Sequence, residues 1–170
     1  MAPPGPIASR LLKAPVALYE AGAGPLLGHR FLLLSHRGRR SGRLFRTVLE
    51  VVAWDAAAQE ATVMSGFGPR SNWYLNVLAG GAEEVRIARL RFHPRARPLE
   101  AGEAVGALAG YERRNRLAGP VVRAVLSRLA GFPYDGSQGA RQRLVEALPL
   151  IAFRPIYSKS SASKSGRISI

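Results

Sequence analysis

Short apolar runs separated by turn-forming residues recur along this chain, and their lengths predict strands. Residues 31–34 and 47–52 are rich in β-branched or large apolar side chains and are bounded by turn formers, which favours strands over helix. Residues 61–65 and 84–92 have the same character, and residues 150–155 predict a last strand. Four or five strands at such short spacing imply a small antiparallel barrel.

Helix-like spacing of apolar residues predicts helices around this barrel. The predicted helices cover residues 9–20, 73–79, 101–116, 120–129 and 138–148. Pro15 is expected to kink the first of them, and Ser71 or Asn72 is suited to cap the second. Ser137 is expected to cap the last helix. Strands and helices together predict an α+β protein.

The length and the ends of the chain predict one domain. The chain has 170 residues, which fit a single core over residues 9–155. Residues 1–8 are Pro-rich and are expected to be a loose arm, and the Ser- and Lys-rich residues 156–170 are expected to be a disordered tail. Because there is no long apolar run and no signal-peptide pattern, we expect a cytoplasmic protein.

The charge and the reactive residue types narrow the function. There are 25 Lys and Arg against 11 Asp and Glu, a net charge of +14, so the surface attracts polyanions. No nucleic-acid motif is present, and we expect no specific nucleic-acid partner. The chain has no cysteine, and its three histidines lack ligand-like spacing, so no metal site is predicted.

Arginines crowd the turn between the first two predicted strands. Five of them fall within ten residues: Arg37, Arg39, Arg40, Arg43 and Arg46. Gly38 and Gly42 let the backbone take positive φ and turn its N–H groups toward one point. Guanidinium groups beside such a turn suit a phosphate or a carboxylate. The alternative is an ordinary solvated turn in a basic chain.

Two sequence blocks resemble a known family. HRGRRSG at residues 36–42 and MSGFGPRSNWYLN at residues 64–76 resemble the signatures of the deazaflavin-dependent nitroreductase family, and LIAFRP at residues 150–155 is similar to its closing strand. The resemblance implies a split β-barrel of the FMN-binding type and coenzyme F420 as the cofactor. It also implies hydride transfer to an electron-poor acceptor such as a quinone, an enone or a nitro-aromatic ring.

The resemblance further implies which residues hold the cofactor. The phosphate-binding positions are Arg39, Arg40, Ser41 and Gly42, with Arg46 beside them. The positions along the deazaflavin ring are Met64, Ser65, Gly66, Phe67 and Gly68. The positions on the helix that closes the pocket are Trp73, Tyr74 and Asn76. For Trp73 and Asn76 the alternative is a purely structural role in the core or in bracing the loop.

Catalytic candidates are fewer. The resemblance implies Ser65 near the reacting face, where its hydroxyl would stabilise charge that develops on the acceptor. Tyr111 and Tyr134 are candidates for proton donation or substrate stacking, and the alternative for both is packing.

Three questions stay open at the level of the sequence. FMN is the alternative cofactor, and a basic module that binds cofactor or polyanion without catalysis is the alternative function. The helix at residues 9–20 packs on the barrel or contacts the anionic inner face of the membrane. A barrel with exposed edges allows a monomer or a homodimer.

Overall fold

The structure, a computed structural model, describes residues 27–156, which form a seven-stranded antiparallel sheet and four α-helices. The strands are β1 (Phe31–Arg37), β2 (Leu44–Asp55), β3 (Glu60–Met64), β4 (Ala82–Ile87), β5 (Leu90–Phe92), β6 (Pro94–Pro98) and β7 (Leu150–Pro155). The helices are α1 (Asn72–Leu78), α2 (Ala101–Arg114), α3 (Gly119–Ala130) and α4 (Gln138–Ala147), with a 3₁₀ turn at Arg116–Ala118. The predicted arm, first helix and tail beyond residue 156 lie outside the described residues.

The sheet curls into a nearly closed barrel. Its strand order is β5-β4-β1-β2-β3-β7-β6, and every neighbouring pair is antiparallel. β4 also contacts β6, so the two ends of the sheet approach each other. The register shifts between Ser35 and His36 and again between Val51 and Ala53. Such bulges bend strands and help a sheet to curl. The predicted α+β fold with a small antiparallel barrel is confirmed.

Two apolar clusters stabilise the two sides of the sheet. The first fills the barrel and includes Leu32, Leu34, Val63 and Phe153, all fully buried. The second lies between the sheet and the helices α2, α3 and α4, with Leu108, Leu126 and Leu144 at its centre. α1 belongs to the first cluster through Trp73, Tyr74 and Val77. The short helix is therefore fixed against the barrel by three buried side chains.

One predicted element is wrong. Residues 84–92 were expected to be a single strand, but they form the end of β4, a two-residue turn at Ala88 and Arg89, and β5. Ala88 has φ of +49°, a conformation that non-glycine residues rarely adopt. The usual hairpin signal is Asn-Gly or Asp-Gly, which this turn lacks, so the pattern reads as one continuous strand.

Arg97 joins three elements on the outside of the barrel. This residue of β6 donates to both carboxylate oxygens of Glu60 at the start of β3, at 2.6 and 3.3 Å. It also donates to both oxygens of Glu103 on α2, at 2.6 and 2.8 Å. Hydrogen bonding to Glu103 and then to Glu60 raises the pKa of Arg97. The guanidinium therefore ties the edge strand to the helical layer.

Within residues 27–156, no helix has both the length and the apolar character that crossing a bilayer requires. The described part of the chain also contains no group of His, Asp and Glu side chains able to hold a metal ion.

Candidate active site

A pocket of about 860 Å³ opens between the turn at residues 38–43, the start of β2, and α1 with the loop before it. Its lining comprises His36, Gly38, Arg39, Arg40, Ser41, Phe45, Arg46, Thr47, Phe67, Arg70, Ser71, Asn72, Trp73 and Asn76. The two sequence blocks that resemble the deazaflavin family thus meet at one cavity. We call this cavity the arginine pocket.

The turn at residues 38–43 is closed by its own backbone. Gly38 donates its N–H to the carbonyl of Arg43 at 2.8 Å, and Gly42 donates to the carbonyl of Gly38 at 2.7 Å. Gly42 has φ of +64°, as expected, but its N–H is occupied by this bond and does not point at a ligand. A Cβ at Gly38 would lie 2.7 Å from the Ser41 hydroxyl and 2.9 Å from the Phe45 ring, so a larger residue there would displace these two side chains.

Four arginines line the pocket: Arg39, Arg40, Arg46 and Arg70. The lining residues within the described part of the chain include no Asp or Glu. Arg37, by contrast, donates to Glu83 at 2.7 Å and stays outside the pocket. Arginines in a cleft whose lining contains no carboxylate produce a positive potential there, which attracts anions.

Asn76 holds Arg39 in place from the buried side of the pocket. Its Oδ1 accepts the backbone N–H of Arg39 and a guanidinium N–H of the same residue, both at 3.0 Å. Asn76 is only 4% exposed. A second, longer contact of 3.5 Å joins the Arg39 guanidinium to Oδ1 of Asn72 on the surface. The turn and its arginine are therefore fixed by α1 before any ligand binds.

The same amide sets the protonation of His36. Since Oδ1 of Asn76 accepts from Arg39, its Nδ2 is the donor to Nδ1 of His36 at 3.2 Å. Nδ1 must then be unprotonated, and Nε2–H donates to the Thr47 hydroxyl at 3.3 Å. His36 is 3% exposed, and its burial lowers its pKa. The imidazole at the floor of the pocket is neutral.

Aromatic rings form the apolar wall. Phe45 and Phe67 are 42% and 58% exposed, which is unusual for such large apolar side chains. Phe45 stacks on His36 with 5.8 Å between the ring centroids. Trp73 is buried in the barrel core and presents part of its surface to the pocket. Rings beside guanidinium groups suit a flat anionic ligand.

Ser65 does not line the arginine pocket. It is fully buried, and its hydroxyl contacts the carbonyl of Gly68 at 2.7 Å and the hydroxyl of Ser71 at 2.6 Å. A carbonyl only accepts, so the Ser65 hydroxyl donates to Gly68, and Ser71 donates to Ser65. Ser71 therefore faces the pocket as an acceptor. It is also the N-cap residue of α1, as expected, although its side chain caps no N–H.

Four other predicted cofactor-binding residues, Met64, Gly66, Gly68 and Tyr74, lie outside the pocket lining. Met64 packs in the cluster beneath the helices, and a Cβ at Gly66 would lie 3.5 Å from Leu129 of α3. Gly68 has φ of +75° and bonds to the carbonyl of Ser65 at 2.8 Å. Tyr74 lies in the barrel core and lines a separate cavity of about 160 Å³. Among the predicted ring-side residues, Phe67 reaches the pocket.

The two candidate tyrosines lie on the helical side of the sheet, apart from the pocket lining. Tyr111 donates its hydroxyl to Glu50 at 2.9 Å, and burial, together with this bond, raises its pKa to about 12. Tyr134 donates to Glu112 at 2.7 Å, and burial, together with this bond, raises its pKa. The structure does not bring either hydroxyl to the cavity that holds the arginines.

Sequence reasoning missed several lining residues. His36, Phe45 and Thr47 share one face of the β1–β2 hairpin, because Phe45 pairs with His36 and Thr47 with Leu34. The pleat of a regular hairpin, once its register is fixed, predicts this grouping. Arg70, Ser71 and Asn72 were inside a recognised block but were not singled out as ligand contacts.

Comparison with known proteins identifies the family. The model of the F420H(2)-dependent quinone reductase family matches residues 10–121. The chain belongs to this family. It is an oxidoreductase that uses coenzyme F420, so the predicted enzyme class and cofactor are confirmed. The narrower nitroreductase type is not confirmed. No protein of curated function matches the sequence.

Solved structures are similar at low identity. One described as a domain-swapped dimer is 15% identical with a TM-score of 0.48, covering 86% of this chain and 98% of its own. The F420-H2 dependent reductase FDR-A is 16% identical with a TM-score of 0.41, covering 75% and 96%. A pyridoxamine 5'-phosphate oxidase-related, FMN-binding protein from Nostoc punctiforme PCC 73102 is 12% identical with a TM-score of 0.39, covering 83% and 79%.

The pocket fits the coenzyme that the family uses. Coenzyme F420 combines a phosphate group with a flat tricyclic ring, and it therefore needs cationic donors next to apolar surface. The arginine pocket has both, with Arg39 already oriented by Asn76 and with Phe45 and Phe67 exposed. The described lining residues include no carboxylate that would repel a phosphate.

Proposed function

We propose that the arginine pocket is the coenzyme site of this F420H2-dependent oxidoreductase and that the physiological acceptor is a quinone. The observation that supports the site most directly is the convergence of four arginines beside exposed aromatic rings, in a described lining that includes no Asp or Glu. The family description supports the acceptor class. Enones and nitro-aromatic rings, the other acceptors that the sequence suggested, are the alternatives.

The phosphate would be held by Arg39, Arg40 and Ser41, with Arg46 and Arg70 adding positive potential. Arg39 uses one guanidinium nitrogen on Asn76 and Asn72, and its other N–H groups remain for the ligand. Because Asn76 has already oriented Arg39, less conformational entropy is lost when an anion binds. Asn76 thus acts as a positioning residue rather than as a contact to the coenzyme.

The flat ring would lie against Phe45, Phe67 and Trp73. Ser71 presents an acceptor to this space because its own hydroxyl proton is used on Ser65. We therefore assign Ser65 to the support of Ser71 and of the glycine loop. Met64, Gly66, Gly68 and Tyr74 support the same wall from behind.

When bound, the reduced deazaflavin supplies a hydride, which is two electrons and a proton, to an electron-poor acceptor. A quinone oxygen gains negative charge as it is reduced, and the field of the pocket arginines stabilises that charge. The second proton comes from solvent at the open mouth, because the described lining includes no carboxyl group and His36 is neutral and buried. The exposed rings and arginines thus supply binding, orientation and electrostatics.

A fluorescence titration of the full chain with coenzyme F420 tests the site. In the variant Arg39→Gln/Arg40→Gln, the dissociation constant is expected to rise about 10- to 100-fold, as for the loss of charge-assisted hydrogen bonds. The matched control is Arg89→Gln/Arg95→Gln, which lowers the net charge equally at the β4–β5 turn and on the edge strand β6, outside the pocket lining. Equal weakening by both variants would show that only net charge matters and would refute the site.

FMN in a parallel titration tests the alternative cofactor. Saturable binding of FMN with no binding of F420 would contradict the assignment of the coenzyme to this pocket. Stopped-flow oxidation of the reduced enzyme by menadione and by a nitro-aromatic compound then tests the acceptor. Faster oxidation by the nitro-aromatic compound would refute the quinone proposal while leaving the site intact.

The cellular location is also proposed from the chemistry. Reduced F420 is a diffusible electron donor of the cytoplasm, which supports the predicted cytoplasmic location. The predicted contact of the helix at residues 9–20 with the inner membrane face lies outside the described residues. Fractionation of cells that express the full chain, with and without residues 1–26, would test both.

A further inference from the structure

A second basic cavity lies among the helices. It has a volume of about 280 Å³, and its lining comes from α2, the 3₁₀ turn, the start of α3, the loop before α4 and α4 itself. We call this cavity the α2–α3 pocket. It shares no lining residue with the arginine pocket, and half of its lining lies beyond residue 121, where the family match ends. Neither that match nor the proposed hydride transfer assigns it a role.

The α2–α3 pocket carries an excess of positive charge. Its described lining contains one glutamate, Glu112, and four arginines: Arg113, Arg116, Arg123 and Arg141. All of these arginines except Arg141 lack an ion pair with any residue between 27 and 156. Asp135, outside the lining, lies within electrostatic reach of Arg123 but accepts the backbone N–H of Ser137 at 2.8 Å and forms no ion pair. Uncompensated charge in a cleft attracts anions.

The glutamate of the lining holds Arg141 in place. Glu112 accepts Nε of Arg141 at one oxygen and the hydroxyl of Tyr134 at the other, both at 2.7 Å. Tyr134 is only 4% exposed, and burial, together with this bond, raises its pKa, so its hydroxyl keeps its proton and stays a donor. Glu112 engages Nε alone, which leaves the two Nη groups of Arg141 for a ligand. The one acid of the pocket therefore orients a cation before any anion binds.

The loop before α4 closes tightly against the same groups. Gly136 has φ of +80°, which favours glycine. A Cβ at this position would lie 3.2 Å from a carboxylate oxygen of Glu112 and 3.9 Å from the side chain of Arg123. The backbone of the loop thus forms one wall of the pocket in direct contact with both side chains.

The pocket and the exposed apolar side chains of α3 lie on different sides of this helix. Gly119, Val122 and Arg123 have the i, i+3, i+4 spacing of a single helix face. Val121 and Val125 are exposed, and each lies two residues from Arg123, which is about 160° around the helix. Because no exposed apolar face adjoins the cavity here, we expect its ligand to come from water.

The size and the lining of the pocket select the kind of anion. Its volume of about 280 Å³ corresponds to roughly nine water molecules, so a small compound fits. Among the described lining residues there is no aromatic ring on which a flat ligand could stack. Four separate elements each contribute a guanidinium group. Donors from several directions suit the tetrahedral oxygens of phosphate better than a planar carboxylate.

We infer that the α2–α3 pocket is a second anion site, which binds the phosphate group of a small, soluble, non-aromatic compound, either free phosphate or a phosphate monoester. The inference does not depend on the assignment of the coenzyme to the arginine pocket. Its test therefore follows binding at the second site by itself.

The experiment is an NMR titration of the ¹⁵N-labelled full chain at about 0.15 M sodium chloride. Sodium phosphate and glycerol 2-phosphate are the probes, added separately. The backbone N–H signals of Gly119 and Gly136 report on the α2–α3 pocket, and that of Gly38 reports on the arginine pocket. Gly119 and Gly136 are expected to shift saturably, with half-saturation at about 1 mM or below. The probe with the lower dissociation constant shows whether the free ion or the ester is preferred.

Arg116→Gln/Arg123→Gln removes two exposed guanidinium groups that form no ion pair within the described chain. It is expected to raise the dissociation constant measured at the two reporter glycines about 10- to 100-fold. The control Arg89→Gln/Arg95→Gln removes equal charge outside both linings and is expected to change this constant less than about threefold. Thermal unfolding of each variant shows whether it is folded.

A second control separates the two pockets. Arg39→Gln/Arg40→Gln is expected to reduce the shift at Gly38 and to leave the shifts at Gly119 and Gly136 in place, because the two linings share no residue.

Three results would overturn the inference. The first is no saturable shift at Gly119 and Gly136 up to about 20 mM of either probe. The second is equal weakening by the variant and by its control of equal charge, which would leave only the net charge of the chain. The third is the loss of both shifts in Arg39→Gln/Arg40→Gln, which would assign them to the arginine pocket. The fluorescence titration with coenzyme F420 remains a separate measurement, so either site can fail without the other.

Discussion

Replacement of Asn76 by alanine should weaken both the stability of the chain and the binding of coenzyme in the arginine pocket. The substitution removes the acceptor for the backbone N–H and the guanidinium of Arg39, and it removes the donor to His36. Asn76 and His36 are buried, so water cannot readily replace these bonds. Each polar group left unsatisfied in such a place costs about 1–3 kcal/mol.

Arg39 contributes less to this cost, because it is exposed and its guanidinium can turn to solvent. We therefore expect Asn76→Ala to lower the free energy of unfolding by about 2–4 kcal/mol. The affinity for coenzyme F420 should fall about tenfold as well, because Arg39 is no longer oriented before binding. Urea denaturation followed by tryptophan fluorescence measures the first quantity, and the fluorescence titration measures the second.

Asn72 provides a matched control on the same helix. It is an exposed asparagine whose contact with the Arg39 guanidinium is 3.5 Å long, so Asn72→Ala should cost less than about 0.5 kcal/mol. Asn76→Asp separates the two halves of the network, since a carboxylate still accepts from Arg39 but favours protonation of His36. Equal destabilisation by Asn76→Ala and Asn72→Ala would refute the reasoning.

Three further outcomes follow from individual groups. Burial lowers the pKa of His36, so the folded chain binds a proton there less readily than the unfolded chain does. The melting temperature should therefore fall as the pH drops below about 6.5. His36→Gln should make the melting temperature less dependent on pH in this range. Arg97→Met should cost about 1–2 kcal/mol in urea denaturation, since it unpairs Glu60, whose side chain is 14% exposed, and Glu103, whose side chain is 44% exposed; a neutral result would contradict this. Gly81→Ala should cost about 2–3 kcal/mol, because its Cβ would lie 2.6 and 2.8 Å from backbone oxygens. Gly106→Ala, in open helix, should be neutral or stabilising by comparison.

The barrel could be predicted from the sequence wherever turns follow standard chemistry. Residues 31–34 and 47–52 were recognised as strands because glycines and arginines separate them, although β1 and β2 extend further toward the turn. Ser137 was recognised as a cap, and its hydroxyl accepts the N–H of Ala140 at 3.2 Å. The β4–β5 hairpin was not predicted, because its turn residue with positive φ is Ala88 rather than a glycine or an asparagine.

The candidate site was predictable where its residues are contiguous and unpredictable where tertiary structure brings them together. Arg39, Arg40 and Ser41 lie in one turn, so local sequence indicates an anion site. The partner of Arg39 is Asn76, 37 positions away, and only the packing of α1 against β1 brings the two together. Tyr111 and Tyr134 show the converse, since a residue type suited to catalysis carries no information about its distance from the pocket.

The net charge of the chain does not show where on the molecule the positive charge is concentrated. A charge of +14 is equally compatible with a diffuse basic surface and with a few concentrated sites. In the structure, acidic side chains on the sheet form ion pairs with arginines. Glu83 pairs with Arg37, and Glu84 pairs with both Arg86 and Arg91. Among the described residues, arginines line the arginine pocket and a second cavity that contains Arg113, Arg116, Arg123 and Arg141. Because uncompensated charge in a cleft acts far more strongly than the same charge spread over a surface, anion binding should depend on these two places and not on the total.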